Sequence, residues 1–379
     1  MRMKQTLKIF ITMFIFAVAF IMTGIDSEAA KYVTLKEGKW ATGSYNVANY
    51  YKIVAPSTGY CRIFVDAGLV VSSQEKSKTS FDILNGERTK RLATIYADSK
   101  NTDDIYHYLK KGQVLYVKTA GKSGDKHRVA FKMAEPNLIY KFGNTFNMQF
   151  TDETLKNGVY VGLKANKTGI MTFNTVSSDV FNIMLTNASK TPLSVEVSPI
   201  GKYYSAGKTY LDTVEFGVKQ NQIYYMKLTD TYGGWGKNRI VFKAGIKAAY
   251  YPSVTMNTAR ALGYNKPVTT ALYTKGYSWY KFYLSSPRKV SIYINTVIYR
   301  NSKDRYYTTI YKQGSSRPIY TDNKGEHGFT YTSIKNGNIY INSSVDELKP
   351  NYALSKGMYY IKIMTTSYTA NGYTKVWYK

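Results

Sequence analysis

Cysteine occurs once in the 379 residues, so no disulfide can close within the chain, and thiolate-held zinc or iron–sulfur centres of the usual kind are excluded. Three histidines leave little material for an imidazole-rich metal site. Carboxylates are scarce too: 24 Asp and Glu stand against 52 Lys and Arg, a formal net charge of +28. Beyond residues 9–22 there is no long apolar run, and a spanning helix needs about 20 such residues. The chain has no His-Glu-x-x-His, no Gly-x-Ser-x-Gly and no phosphate-cradling glycine loop ahead of a helix. No catalytic residue, metal or cofactor is therefore expected.

Hydrophobic residues nevertheless make up 44% of the chain, enough to bury real cores, and tyrosine is abundant at 38 residues. Residues 1–29 have the parts of a signal peptide: Arg2, Lys4 and Lys8, then the apolar run Ile9–Met22, then small residues around Ser27 and Ala29. An uncleaved anchor is the other reading of that run. Cleavage would leave an exported chain, secreted or cell-wall associated, with no membrane span. The charge is uneven along it: net +9 over 31–133, +5 over 134–248 and +13 over 249–379. The last segment is where contact with a polyanion is first expected.

The sequence repeats itself. Tyr50 to Val65 lies gap-free over Trp279 to Ile294, and Val159 to Asn174 is the middle copy; each reads as strand, polar turn, strand. A second motif follows in Leu109–Lys118, Val218–Lys227 and Leu354–Lys362, where Gly112, Asn221 or Gly357 closes a turn into a strand centred on Tyr116, Tyr225 or Tyr360. Closing strands are expected at 128–132, 239–243 and 374–378. With no helical periodicity beyond the signal, the pattern predicts an all-β chain of three tandem antiparallel, jelly-roll-like β-sandwich modules, over 31–133, 137–247 and 249–379. Junctions fall near Glu135-Pro136 and Tyr251-Pro252, short enough for a semi-rigid chain of modules.

The order Tyr-Tyr-Lys-Phe, turn, strand pair, Leu-x-x-Gly-x-Tyr-Tyr-Ile, loop, closing strand resembles the bacterial pre-peptidase C-terminal domain, a jelly-roll sandwich that includes collagenase collagen-binding domains. Trp279-Tyr280-Lys281-Phe282 and Lys356-Gly357-Met358-Tyr359-Tyr360-Ile361-Lys362 carry it best. These are framework residues, so the resemblance implies a fold and no ligand. Some members hold calcium through acidic residues near the module's start, where this chain is rich in Lys and Tyr.

Several residues have a functional and a bland reading. Cys61 stands where the third copy has Val290, which predicts a small buried hydrophobe. His127 precedes a closing strand and reads as a surface histidine. Adjacent carboxylates such as Asp103-Asp104 and Asp152-Glu153 would point to opposite faces of a strand and cannot work as a pair. Asp322 to His327 reads as a polar hairpin turn rather than a calcium loop. The doublets Tyr50-Tyr51, Tyr224-Tyr225 and Tyr359-Tyr360 should each put one ring in the core and its twin outside, either as a strand former or as a flat platform beside lysines. In the loop Thr231 to Lys237, three glycines surround Trp235; with Tyr232 and Lys237 it forms a candidate ligand contact, or it folds back on the sandwich edge.

These features suggest a secreted, non-catalytic binding or adhesion protein whose basic modules contact an anionic wall polymer or glycan, or a host or matrix protein. The alternative is a structural accessory subunit of a secreted enzyme or surface assembly. Nucleic acid is the weaker partner, since the charge is distributed and no nucleic-acid motif is present.

Overall fold

The structure, a computed structural model, describes residues 32–44, 49–67, 79–97, 103–120, 126–134, 137–175, 181–197, 212–230, 239–273, 276–301, 306–322, 329–335, 338–343, 346–348, 353–365 and 371–379. The proposed signal segment lies outside them.

Three runs of strands succeed one another. The first is β1 (Tyr32–Thr34), β2 (Ala41–Ser44), β3 (Tyr50–Val54), β4 (Gly59–Asp66), β5 (Thr79–Asn85), β6 (Arg91–Ala97), β7 (Asp103–Leu109), β8 (Val114–Ala120) and β9 (Lys126–Met133). The second is β10 (Leu138–Ile139), β11 (Phe146–Gln149), a short helix α1 (Asp152–Asn157), β12 (Val159–Lys164), β13 (Gly169–Thr175), β14 (Phe181–Asn187), β15 (Asp212–Val218), β16 (Ile223–Asp230) and β17 (Arg239–Ala248). The third begins with β18 (Arg260–Ala261), β19 (Val268–Tyr273), β20 (Gly276–Leu284), β21 (Ile292–Asn301), β22 (Tyr306–Lys312) and β23 (Tyr320–Asp322). It ends with β24 (Phe329–Lys335), β25 (Asn338–Ser343), β26 (Asp346–Leu348), β27 (Gly357–Thr365) and β28 (Asn371–Tyr378).

The chain is nearly all-β, built of separate, mainly antiparallel sheets in tandem sandwiches, and one pairing scheme recurs. One sheet of each repeat runs β1-β3-β8-β5-β6, then β10-β12-β16-β14, then β18-β20-β27-β22-β23. In all three, the short first strand joins in parallel while the rest of the sheet is antiparallel. The opposing sheets run β2-β9-β4-β7, β11-β17-β13-β15 and β19-β28-β21-β25-β24. Period-two burial explains why these segments are strands: β5 and β14 share the same inward–outward alternation, with Phe81 and Ile83 or Phe181 and Ile183 turned inward.

The described residues pack as two compact units, one drawn from within 32–56, 63–103 and 111–132, the other from within 57–62, 104–110 and 133–379. In the second unit, Phe242 is stacked on Phe146 at 4.6 Å and lies 4.2 Å from Phe173, while Phe282 stacks on Tyr359 and Tyr378. Buried aromatic pairs of this kind add about 0.5–1.5 kcal/mol beyond their area. The second and third repeats meet in this unit at Gly217 of β15. Its N–H donates to Asn371 Oδ1 (2.7 Å), and its carbonyl accepts from Asn371 Nδ2 (3.2 Å). A Cβ on Gly217 would stand 2.6 Å from the carbonyl oxygen of Gly372, so only glycine fits there.

Two expectations fail on local grounds. His127 is not at the surface: it is fully buried as the second residue of β9, with Nε2 2.7 Å from the Tyr51 hydroxyl. Room for that pair comes from Gly43, its register partner, where a Cβ would stand 2.3 Å from the Tyr51 hydroxyl. Asp152 and Glu153 do not sit on a strand either. They open helix α1, where Thr151 caps the first turn by accepting from the Thr154 N–H. Cys61 is buried, as the repeat alignment requires.

Candidate binding face

Neighbouring side chains on a strand face opposite sides, so each buried ring has an outward neighbour. Tyr51, Tyr224 and Tyr359 are buried, while Tyr50, Tyr225 and Tyr360 lie half-buried on the outer face of the sheet. Trp279 is likewise turned out beside buried Tyr280.

The strand register adds what the tyrosine pattern alone does not show. In the first repeat Tyr50 pairs with Lys118 and Lys52 with Tyr116. In the third, Trp279 pairs with Lys362 and Lys281 with Tyr360. In the second, Tyr160 pairs with Lys227 and Gly162 with Tyr225. Directly opposed residues have Cβ atoms about 5 Å apart and diagonal ones about 7–8 Å apart. Each set is therefore a square with aromatic rings on one diagonal and lysines on the other, the second repeat lacking one lysine. The register also moves the middle copy by one position: Tyr160, not Val159, stands where Tyr50 does.

The cations lie against the rings. Lys362 Nζ is 4.0 Å from the Tyr277 centroid and 5.5 Å from that of Trp279. Lys118 is 5.9 Å from Tyr50, and Lys52 is 5.0 Å from Tyr32. Such contacts are worth about 0.5–1 kcal/mol when exposed, and they hold long side chains in place. The third face carries further rings. Tyr311 lies 5.6 Å from Trp279, and Tyr277 and Tyr283 on β20 are 41% and 52% exposed, large rings left in solvent.

The electrostatics differ between repeats. On β5 the residue beside Lys118 is Asp82, which also accepts from the Thr94 hydroxyl at 2.6 Å. On β22 the residue beside Lys362 is Thr309. The described outward positions of β20, β22 and β27 carry no carboxylate. Flat rings offer stacking surface and the lysine ammonium groups offer anion contacts, so the arrangement can contact a group with both planar apolar and anionic character.

Tyr232, Trp235 and Lys237 lie outside the described residues, as does the loop from 323 to 328. The sequence placed lysines beside the outward rings without saying which; each second motif ends on one, Lys118, Lys227 and Lys362, and the register pairs these with Tyr50, Tyr160 and Trp279. Among the described residues, no three His, Cys, Asp or Glu side chains gather as a metal ion would require. No helix among them is long and apolar enough to cross a membrane.

No protein-family model and no curated protein matches the chain. Among solved structures, the CUB1-EGF-CUB2 domains of rat MASP-1 align at 9% identity over 56% of this chain and 100% of theirs, with a TM-score of 0.18. The M60 catalytic domain with the CBM51-1 and CBM51-2 domains of Clostridium perfringens ZmpB aligns at 11% identity and a TM-score of 0.21. That alignment takes in 90% of this chain but only 34% of the other. Tripeptidyl peptidase 2 aligns at 9% identity over 91% of this chain and 32% of its own length, with a TM-score of 0.19. At these scores the likenesses assign neither a ligand nor an activity.

Proposed function

We propose that the protein is an exported, non-catalytic binding protein whose sheet faces engage an anionic, sugar-containing polymer of the cell envelope or matrix. One observation carries the reading: outward aromatic rings opposed to outward lysines recur at the same register positions in all three repeats, with one lysine corner replaced by Gly162 in the second. A core needs the buried rings Tyr51, Tyr224 and Tyr359. It does not need an outward ring opposed to an outward lysine, and the strand fold would accept threonine or valine there. The excess of 52 basic over 24 acidic residues draws a polyanion in at long range, and the rings add contact on arrival.

The test is retention of the full chain on purified cell walls and on immobilised heparin across a salt gradient. Binding that weakens steeply with salt, and that falls about tenfold further in Trp279→Ala, is the expected result. Equal retention by the wild type and by a Lys281→Gln/Lys362→Gln variant would refute the reading.

A further inference from the structure

A cation from a hairpin turn lies over the rings of the first two squares, and the third repeat has a different residue at that turn position. After β5 the chain turns through Asn85-Gly86-Glu87-Arg88, with the Arg88 N–H donating to the Asn85 carbonyl at 2.9 Å. After β14 it turns through Asn187-Ala188-Ser189-Lys190, with the same bond from Lys190 to Asn187 at 2.9 Å. Arg88 and Lys190 have φ of 60° and 62°, the left-handed region that favours glycine. Each turn is locked by its asparagine: Asn85 Oδ1 accepts from the N–H of Thr89 and of Lys90, and Asn187 Oδ1 from that of Ser189 and of Thr191, all at 2.9 Å.

That backbone aims a cation at the aromatic diagonal. The Arg88 guanidinium lies 5.5 Å from the Tyr50 centroid and 5.3 Å from that of Tyr116. Lys190 Nζ lies 4.5 Å from Tyr160 and 5.6 Å from Tyr225, the same two register positions. A basic residue in an unfavourable backbone conformation, set over the same ring pair twice, is a built-in occupant of that surface.

The third repeat departs from this. Its turn starts at Lys312, the register counterpart of Asn85 and Asn187, and closes through the Ser315 N–H and the Lys312 carbonyl at 3.0 Å. The left-handed residue is now Gly314, and uncharged Ser315 takes the place of Arg88 and Lys190. Lys312 itself is turned to Ser355 Oγ at 2.7 Å.

We infer that, among the described residues, the square of the third repeat around Trp279, Lys281, Tyr360 and Lys362 is the one left open to a ligand, and that Arg88 and Lys190 plug the equivalent faces of the other two. The ligand is a linear anionic glycan: sugar rings stack on the Trp279 and Tyr360 diagonal, and acidic groups meet the two lysines. This rests on the function proposed above and deepens it by naming the face, the stoichiometry and the ligand class.

The experiment is calorimetric titration of the full chain with a heparin-derived tetrasaccharide, short enough to occupy one face. One molecule should bind per wild-type chain, Trp279→Ala should lose at least tenfold in affinity, and Trp279→Phe should recover most of it. Arg88→Gly, which the left-handed backbone accepts readily, should add a second binding equivalent. Two or more equal sites on the wild type, or unchanged stoichiometry in Arg88→Gly, would overturn the plugged-face inference and leave the general reading standing. No binding by the wild type would overturn both. Tighter binding of a single-stranded oligonucleotide of matched charge would overturn the glycan assignment.

Discussion

The two described histidines make the chain's stability depend on pH in a way that can be worked out. His107 is buried on β7 with Nδ1 2.6 Å from the Thr151 hydroxyl, and burial lowers its pKa to about 4 against a smaller raising effect of Glu153. Burial likewise holds His127 near 4. In the unfolded chain both return to about 6.5. The unfolded state therefore binds protons that the folded state refuses, and stability falls as pH drops from about 6.5 to about 4. Above that window both rings are neutral in both states and contribute no slope. At pH 5 the cost is about 2 kcal/mol per histidine, and over the whole window it approaches about 3 kcal/mol each. Urea denaturation of the full chain at pH 7.5 and pH 5, followed by fluorescence, should show that loss, and His107→Gln should remove about half of it. Because the chain has three histidines, their imidazole proton resonances can be followed individually by NMR. Two rings titrating near 6.5, or equal stability at the two pH values, would refute the reasoning.

Other outcomes are equally direct. Asn371→Ala strips the partners from the N–H and carbonyl of buried Gly217, which at about 1–3 kcal/mol per orphaned group should lower the urea midpoint of the second unit by an amount matching about 2–6 kcal/mol. Asn371→Asp keeps an acceptor for the N–H only and should fall between the two. The Cys61 thiol should resist a thiol reagent until the chain is unfolded, and Cys61→Val should cost less than about 1.5 kcal/mol. Tyr140→Phe removes a hydroxyl that donates to the Asn144 carbonyl at 2.6 Å and accepts from the Ala244 N–H at 2.9 Å, and should destabilise by about 1–3 kcal/mol in thermal melts.

Much of the fold was legible because its information is local and periodic. The doublets Tyr50-Tyr51, Tyr224-Tyr225 and Tyr359-Tyr360 divide between core and surface as a period of two demands. Cys61 is buried because the position is apolar in the other copies. The register was harder to read. Whether Lys118 faces Tyr50 or Tyr51 depends on the pairing of strands far apart in sequence, and one slip would send every side chain to the other face. His127 was misread because nothing nearby in sequence reveals that Gly43 clears space for it. Arg88 and Lys190 gave no signal at all, since a left-handed turn is usually announced by Gly or Asn, and here the asparagine that stabilises it sits three residues earlier. Helix α1 was missed because six residues are too few to show a helical period.

The contact between Gly217 and Asn371 also bears on how this protein can be divided. An amide side chain there answers one residue of β15 much as a neighbouring strand would, on the outermost strand of its sheet. Ending the chain before residue 249 would leave those backbone groups open along a ready template for another strand. The second sandwich made alone should therefore self-associate, and restoring the third repeat should suppress that association.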